Sequence, residues 1–316
     1  MSNFLALKET NSIVKSKSIY ALIEDFIRSQ DVKTSSKETY RKSLKQFLLY
    51  FTEKNLQDPT REDILNYKTY LLNDKKLSPT TVTSYLVAVR KFFEWLESEK
   101  LYPNIAKSIK GAKRPKGFRK DVLTVAQIKD VLSNIDRSNL EGKRDYAIIN
   151  LLVRTGLRTI EIKRVLIEDL RQEGGEAVLF IQGKGRDLKD DFVLLTNETL
   201  KPIREYLKER GKVGEKDPLF SSHSNKNRGK GLTTRSLRRI VKERLKEIGI
   251  DDRRLSAHSL RHTAITLSLL GGATLQEAQA LARHSDINTT LIYAQNISRV
   301  NNAPERKIDN MLNQNI

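Results

Sequence analysis

Residues 257–294 read AHSLRHTAITLSLLGGATLQEAQALARHSDINTTLIYA, and this stretch decides how the rest of the chain is read. Its apolar spacing predicts three helices, over 257–270, 274–283 and 287–295. The chain has four histidines, and His258, His262 and His284 all fall inside this segment. His258 and Arg261 are one helical turn apart and share a face. His284 precedes Tyr293 by nine residues.

Upstream, RDYAIINLLVR (144–154) reads as a buried helix, and TGLR (155–158) turns the chain. A short helix restarts over Thr159–Val165, so Arg158 stands at its start, where a side chain can project into a cleft. Thr124 caps a helix through Leu132, and further helices are expected at 197–210 and 233–248. Two strands are predicted, Ala177–Gln182 and Asp191–Leu195. GKGRDLKD (183–190) joins them as a polar hairpin turn with Lys184 at its tip, between Gly183 and Gly185. Residues 122–316 therefore read as a mixed α+β domain, mainly helical with a small antiparallel sheet.

The first third of the chain is helical throughout. Tyr20, Ile23, Phe26 and Ile27 fall on one helix face, and Tyr40, Leu44, Phe47, Leu48 and Phe51 on another. TREDILNYKTYL (60–71) opens with Thr60 as N-cap and Asp63 at capping-box distance. A further helix starts at Ser78–Pro79 and runs through Val82, Leu86, Val89, Phe92, Phe93 and Leu96. Together they make an all-helical domain over 18–105, its aromatic stripes read as core, after a loose extension at 1–17. A basic linker, 106–121, follows. It carries seven cations (Lys107, Lys110, Lys113, Arg114, Lys116, Arg119 and Lys120) and, within 107–120, no acid. It reads as a solvated, flexible connector that would lie close to phosphates if the flanking domains gripped a duplex.

Charge points to the class of partner. Against 39 acids stand 58 lysines and arginines, a net +19, which favours a polyanion and nucleic acid above all. A merely soluble, lysine-rich surface is the bland alternative. The absence of cysteine excludes disulfides, zinc–thiolate sites and thiol nucleophiles. No apolar run approaches the roughly 18–20 residues of a membrane span, and the first residues lack a secretory pattern. A cytoplasmic location is expected.

Phosphodiester transfer without a metal needs fixed cations for the two nonbridging oxygens, and arginine's planar fork suits them. An imidazole can add to that charge. A tyrosine can act as the nucleophile and survive as a covalent ester, given a proton acceptor and cationic surroundings. A lysine on a hairpin could protonate the leaving oxygen. Arg158, Arg261, His284, Tyr293, His258 and Lys184 supply a candidate for each role. Each also has a plain reading: Arg158 as a salt-bridge partner of Glu161, Lys184 as a surface turn residue, His258 and Arg261 as a helix start, Tyr293 as core. Order and spacing together favour the chemical reading.

On these residues the chain resembles the tyrosine recombinase (phage integrase) family over roughly residues 19–296. TGLRTIEI resembles the first arginine box, with Arg158 and, at its acidic position, Glu161. GKG resembles the lysine hairpin, with Lys184; HSLRHT the His-x-x-Arg box, with His258 and Arg261; ARHSDINTTLIYA the final box, with His284 and Tyr293. The family usually has Leu-Gly-His where this chain has Ala282-Arg283-His284, a departure expected to alter the turn and to add a phosphate contact through Arg283.

The resemblance implies that Tyr293 attacks the scissile phosphate to give a 3′-phosphotyrosine. Arg158, Arg261 and His284 would hold the nonbridging oxygens, Lys184 would protonate the 5′-oxygen, and His258 would help to accept the phenol proton. Glu161 would orient Arg158 or its neighbours and take no proton itself. The resemblance implies no metal and no cofactor. Two domains would clamp double-stranded DNA at an inverted-repeat core site. Protomers would form a homotetramer on two paired sites, or a heterotetramer with a related recombinase, and exchange strands through a Holliday junction. Residues 296–316 would either dock into a neighbouring protomer or end as a frayed terminus, and with only a short segment before Ile19 no added arm-binding domain is expected.

Rival readings are a type IB topoisomerase and a non-catalytic DNA-binding protein. The helical N-terminal domain weighs against the first. The presence of every expected catalytic residue type weighs against the second. A metal-dependent nuclease would need partner carboxylates for Asp187, Asp190 and Asp191, and the sequence offers none evident.

Overall fold

Hydroxyl side chains start three of the helices in the first part of the chain. Ser18 accepts from the amide of Ala21 and Ser78 from that of Thr81, while Thr60 and Asp63 cap each other reciprocally. These caps open α1 (Ile19–Ser29), α4 (Pro79–Ser98) and α3 (Arg61–Asn73); α2 (Thr34–Glu53) lies between the first and the last. The computed structural model describes residues 18–56, 58–113, 121–183, 185–301 and 303–313. The chain divides into two units, Met1–Gly117 and Phe118–Ile316.

In the first unit the aromatic stripes meet. Phe26 lies 5.6 Å from Phe92 edge to face, and Phe47 lies 5.1 Å from Tyr67. Such pairs each add about 0.5–1.5 kcal/mol beyond their burial. The first half of the basic stretch is not free. Ala106, Ile109 and Ala112 are buried in this core, and Lys107, Lys110 and Lys113, each directly after one of them, are exposed. Side chains of the helices hold its backbone: Lys68 donates to Lys110 O (3.0 Å), Arg90 to Ile109 O (3.2 Å) and Arg61 to Lys107 O. Periodic small and apolar residues thus give part of the expected linker a face to bury. Arg114, Lys116, Arg119 and Lys120 lie outside the described residues.

The second unit is built around α6 (Leu140–Thr155), whose residues 147–153 are all buried. Against it pack α5 (Val125–Asn134), α8 (Asn197–Arg210), α9 (Thr234–Glu247) and α10 (Ala257–Leu270), while α7 (Thr159–Arg164) packs on α9, and α11 (Leu275–Ala282) and α12 (Asn288–Asn301) pack on α10. A final helix, α13 (Pro304–Asn313), buries no residue. Three antiparallel strands in the order β1-β2-β3 form the sheet: β1 (Leu170–Glu173), β2 (Glu176–Ile181) and β3 (Asp191–Leu194). The mainly α class with a small antiparallel sheet is as the sequence implied. β1 was not expected, because LRQE is almost wholly exposed and carries no apolar alternation. Pairing of Leu170 with Leu179 makes it a strand.

Candidate active site

Two turns and two helices converge here, the turns between α6 and α7 and between α11 and α12, and the helices α10 and α12. α6 ends at Gly156, whose φ of 62° is left-handed and suits glycine. Arg158 then caps α7. Its backbone amide donates to Glu161 Oε2 (2.7 Å) and its Nη1 to Oε1 (2.8 Å), while Glu161 is fully buried. From α10, Arg261 (2% exposed) donates through Nη1 to Gly156 O and through Nη2 to Ala282 O. Arg261 thereby fastens the end of α6 to the end of α11.

After Ala282 the chain turns through Arg283 to His284. The His284 ring lies with Nδ1 2.9 Å from the Thr290 hydroxyl, and Gln279 Nε2 donates to its carbonyl (3.0 Å). Thr290 is fully buried at the start of α12, one turn before Tyr293. Tyr293 is 1% exposed and packs against Ile265 and Ala282. Its ring is stacked near His284, with centroids 6.4 Å apart, and its phenol is hydrogen-bonded to His262 Nδ1. His258, one turn earlier on α10, has its ring 4.3 Å from that of His262.

The electrostatics suit an anion. Burial, and then the Arg158 and Arg283 guanidiniums, push Arg261 well below the usual guanidinium range. Burial pushes the Tyr293 phenol up to about 12, against the pull of Arg261. A phosphate among these arginines would relieve their mutual repulsion. Among the described residues no group of three or more His, Cys, Asp or Glu could hold a metal ion, and no helix is long and apolar enough to cross a membrane.

Residues 121–299 match the model of the phage integrase family, and residues 19–102 match that of the phage integrase N-terminal SAM-like domain. The chain belongs to the phage integrase family of tyrosine recombinases. It is 32% identical over 286 residues to the tyrosine recombinase XerD of Listeria monocytogenes, covering 86% of this chain and 93% of that protein. It is 30% identical over 263 residues to the tyrosine recombinase XerC of Herpetosiphon aurantiacus, covering 80% and 82%. Its fold resembles that of the XerH site-specific recombinase bound to palindromic difH substrate, a post-cleavage complex, with TM-score 0.71 and 23% identity over 96% of this chain and 92% of that one. It also resembles a lambda integrase dimer bound to a COC′ core site, with TM-score 0.68 and 15% identity over 86% and 97%.

In this tyrosine recombinase the expected Arg158, Glu161, Arg261, His284 and Tyr293 are connected through one cluster. His258 flanks it, with His262 between His258 and the phenol. Sequence reasoning gave His262 no role, although its place one helical turn after His258 was a signal for one. Thr290 was missed as well. Arg283, expected as a phosphate contact, turns inward and is 9% exposed. Lys184 lies outside the described residues, but both limbs of its hairpin are anchored. Arg164 Nη1 donates to Gly183 O (3.1 Å), and Lys189 Nζ bonds Asp169 Oδ2 (2.6 Å), a buried carboxylate.

Proposed function

We propose that this recombinase cuts and rejoins double-stranded DNA at a specific inverted-repeat site through a 3′-phosphotyrosine on Tyr293 and a Holliday junction. Arg158, Arg261 and His284 hold the nonbridging oxygens and stabilise the charge that develops on them. Two guanidiniums and an imidazole supply this charge, so the step draws on no cofactor. Tyr293 loses its proton to the His262–His258 pair as it attacks, and Lys184 gives a proton to the leaving 5′-oxygen.

What carries this reading is the Tyr293 phenol, bonded to one imidazole and stacked near another, beside the Arg261 guanidinium. A phenol retained only for packing would need neither the histidines nor three arginines. The exposed Lys107, Lys110 and Lys113, with the four cations at 114–120, supply phosphate contacts along the duplex. The protein works as a homotetramer on two paired sites, or with a related recombinase, in the cytoplasm on the nucleoid. α13 fits the role of the tail that docks on a neighbouring protomer: Ile308, Met311 and Leu312 are 57%, 68% and 68% exposed.

The test is recovery of covalent protein–DNA adducts from cells expressing the wild type or Tyr293→Phe, lysed in a metal chelator, with the attached DNA sequenced. Adducts on 3′ ends at one discrete inverted repeat, in wild type alone, are expected. Adducts scattered without a site would point to a topoisomerase instead.

A further inference from the structure

Arg283 sits where the backbone favours glycine. Its φ of 51° and ψ of 47° are left-handed, a conformation that crowds any Cβ against the following carbonyl. The turn itself does not require an arginine. The bonds that close α11, from Arg283 N to Ala280 O and from His284 N to Gln279 O, are made by backbone atoms.

The side chain explains the position better. Nη1 donates to Leu281 O (2.8 Å), while Nη2 lies 3.3 Å from both Gly156 O and Glu161 Oε2. Nε is buried with no acceptor among the described residues. Arg283 therefore shares Glu161 Oε2 with the Arg158 amide, while the Arg158 guanidinium holds Oε1. It also shares the Gly156 carbonyl with Arg261, tying the turn before Arg158 to the turn that delivers His284.

Stability alone is a poor account of this residue. A left-handed backbone and a buried unmet donor are costs, and burial and then the Arg158 guanidinium oppose a cation here, against the attraction of Glu161 and Asp191. Nor is it a surface cation for DNA, since its side chain is 9% exposed and its two terminal nitrogens face inward onto carbonyls and Glu161.

Resting on the recombinase reading, we propose that Arg283 is a positioning residue: it fixes Glu161 and the Gly156 turn so that Arg158 and His284 address the same phosphate. Removing it lets Glu161 and the guanidinium of Arg158 shift together. A misplacement of about 1 Å at a reacting centre can cost on the order of 100-fold in rate.

The test compares wild type, Arg283→Gly and Arg283→Lys in the full chain, on a nicked, strand-trapping duplex carrying the site recovered by adduct capture. Single-turnover cleavage at saturating DNA is measured beside DNA affinity across a salt series. Glycine suits the left-handed turn and so removes the side chain while keeping the backbone. The expected result for Arg283→Gly is cleavage slowed by about 10- to 100-fold with affinity and its salt dependence unchanged. Arg283→Lys, unable to span several acceptors from one plane, should recover only part of the rate. Adding Arg158→Lys should cost less in the Arg283→Gly background than in wild type, because Arg158 has already lost its aim.

Unchanged cleavage, or full additivity with Arg158→Lys, would overturn the proposal. So would weaker binding with a salt slope reduced by about one, which would make Arg283 a direct phosphate contact. If Arg283→Gly fails to fold, Arg283→Lys against the same readouts decides. A wild type that forms no Tyr293-dependent adduct would overturn the recombinase reading itself, whereas an active wild type with an unaffected Arg283→Gly would overturn this proposal alone.

Discussion

The phenolic oxygen of Tyr293 is hydrogen-bonded to Nδ1 of His262, the residue directly after Arg261. Both partners are buried, at 1% and 7% exposure, and the His258 ring stands next in line. One helical turn of α10 thus supplies both the Arg261 guanidinium and the phenol's hydrogen-bond partner.

His262→Leu should remove that acceptor. A general base of this kind contributes roughly 10²–10⁴-fold, so adduct formation on a strand-trapping duplex should fall within that range while DNA affinity holds. His258→Leu should cost less, because its ring reaches the phenol through His262. A larger loss from His258→Leu would return the proton to His258.

Tyr293 should also leave a mark on stability at high pH. Burial pushes its phenol up to about 12 in the folded chain, whereas an unfolded tyrosine titrates near about 10. A raised folded value means that the native state favours the neutral phenol. That contribution is complete below pH about 10 and is lost as the pH rises through about 12. Urea unfolding of wild type and Tyr293→Phe in parallel should show the difference between them drifting against wild type across that window. A flat difference would mean that the phenol is not desolvated.

The hairpin anchors predict a chemical rescue. Lys184→Ala should slow cleavage of ordinary DNA but cleave a 5′-bridging phosphorothiolate at near wild-type rate, because a sulfur leaving group needs no proton. Lys189→Met, which releases the hairpin from the Asp169 carboxylate, should follow the same pattern more weakly. If either variant is slowed equally on both substrates, the hairpin does not deliver the proton.

Gly142 tests the entry to α6. A Cβ there would stand 1.7 Å from the Asp136 carbonyl oxygen, a backbone atom that cannot swing aside. Gly142→Ala should therefore destabilise the chain by about 1–3 kcal/mol or more, read from urea unfolding. No change would show that the 136–139 turn relaxes freely.

Where a helix exposes one face and buries the other, its pattern is written locally, and the sequence was readable there. Phe47 and Phe51 mark the buried face of α2, and the Thr60–Asp63 capping box marks the start of α3. The boxes around Arg158, Arg261, His284 and Tyr293 were equally plain, since residue type and order are properties of the chain itself. β1 was not, because its four residues become a strand only by pairing with β2. Nor was the packing of 106–112, whose small apolar residues gain meaning from the helices beneath them.

By itself, then, the sequence determined the two-part, mainly helical architecture, the net positive charge and the candidate reactive side chains. The tertiary structure decided which of them touch. It alone turned Arg283 inward onto Glu161 and gave the Tyr293 phenol to His262 rather than His258. The physical reason is range: caps and periodicity act over three or four residues, whereas these contacts join positions 122 and 31 residues apart, where only the packed core fixes distance and direction.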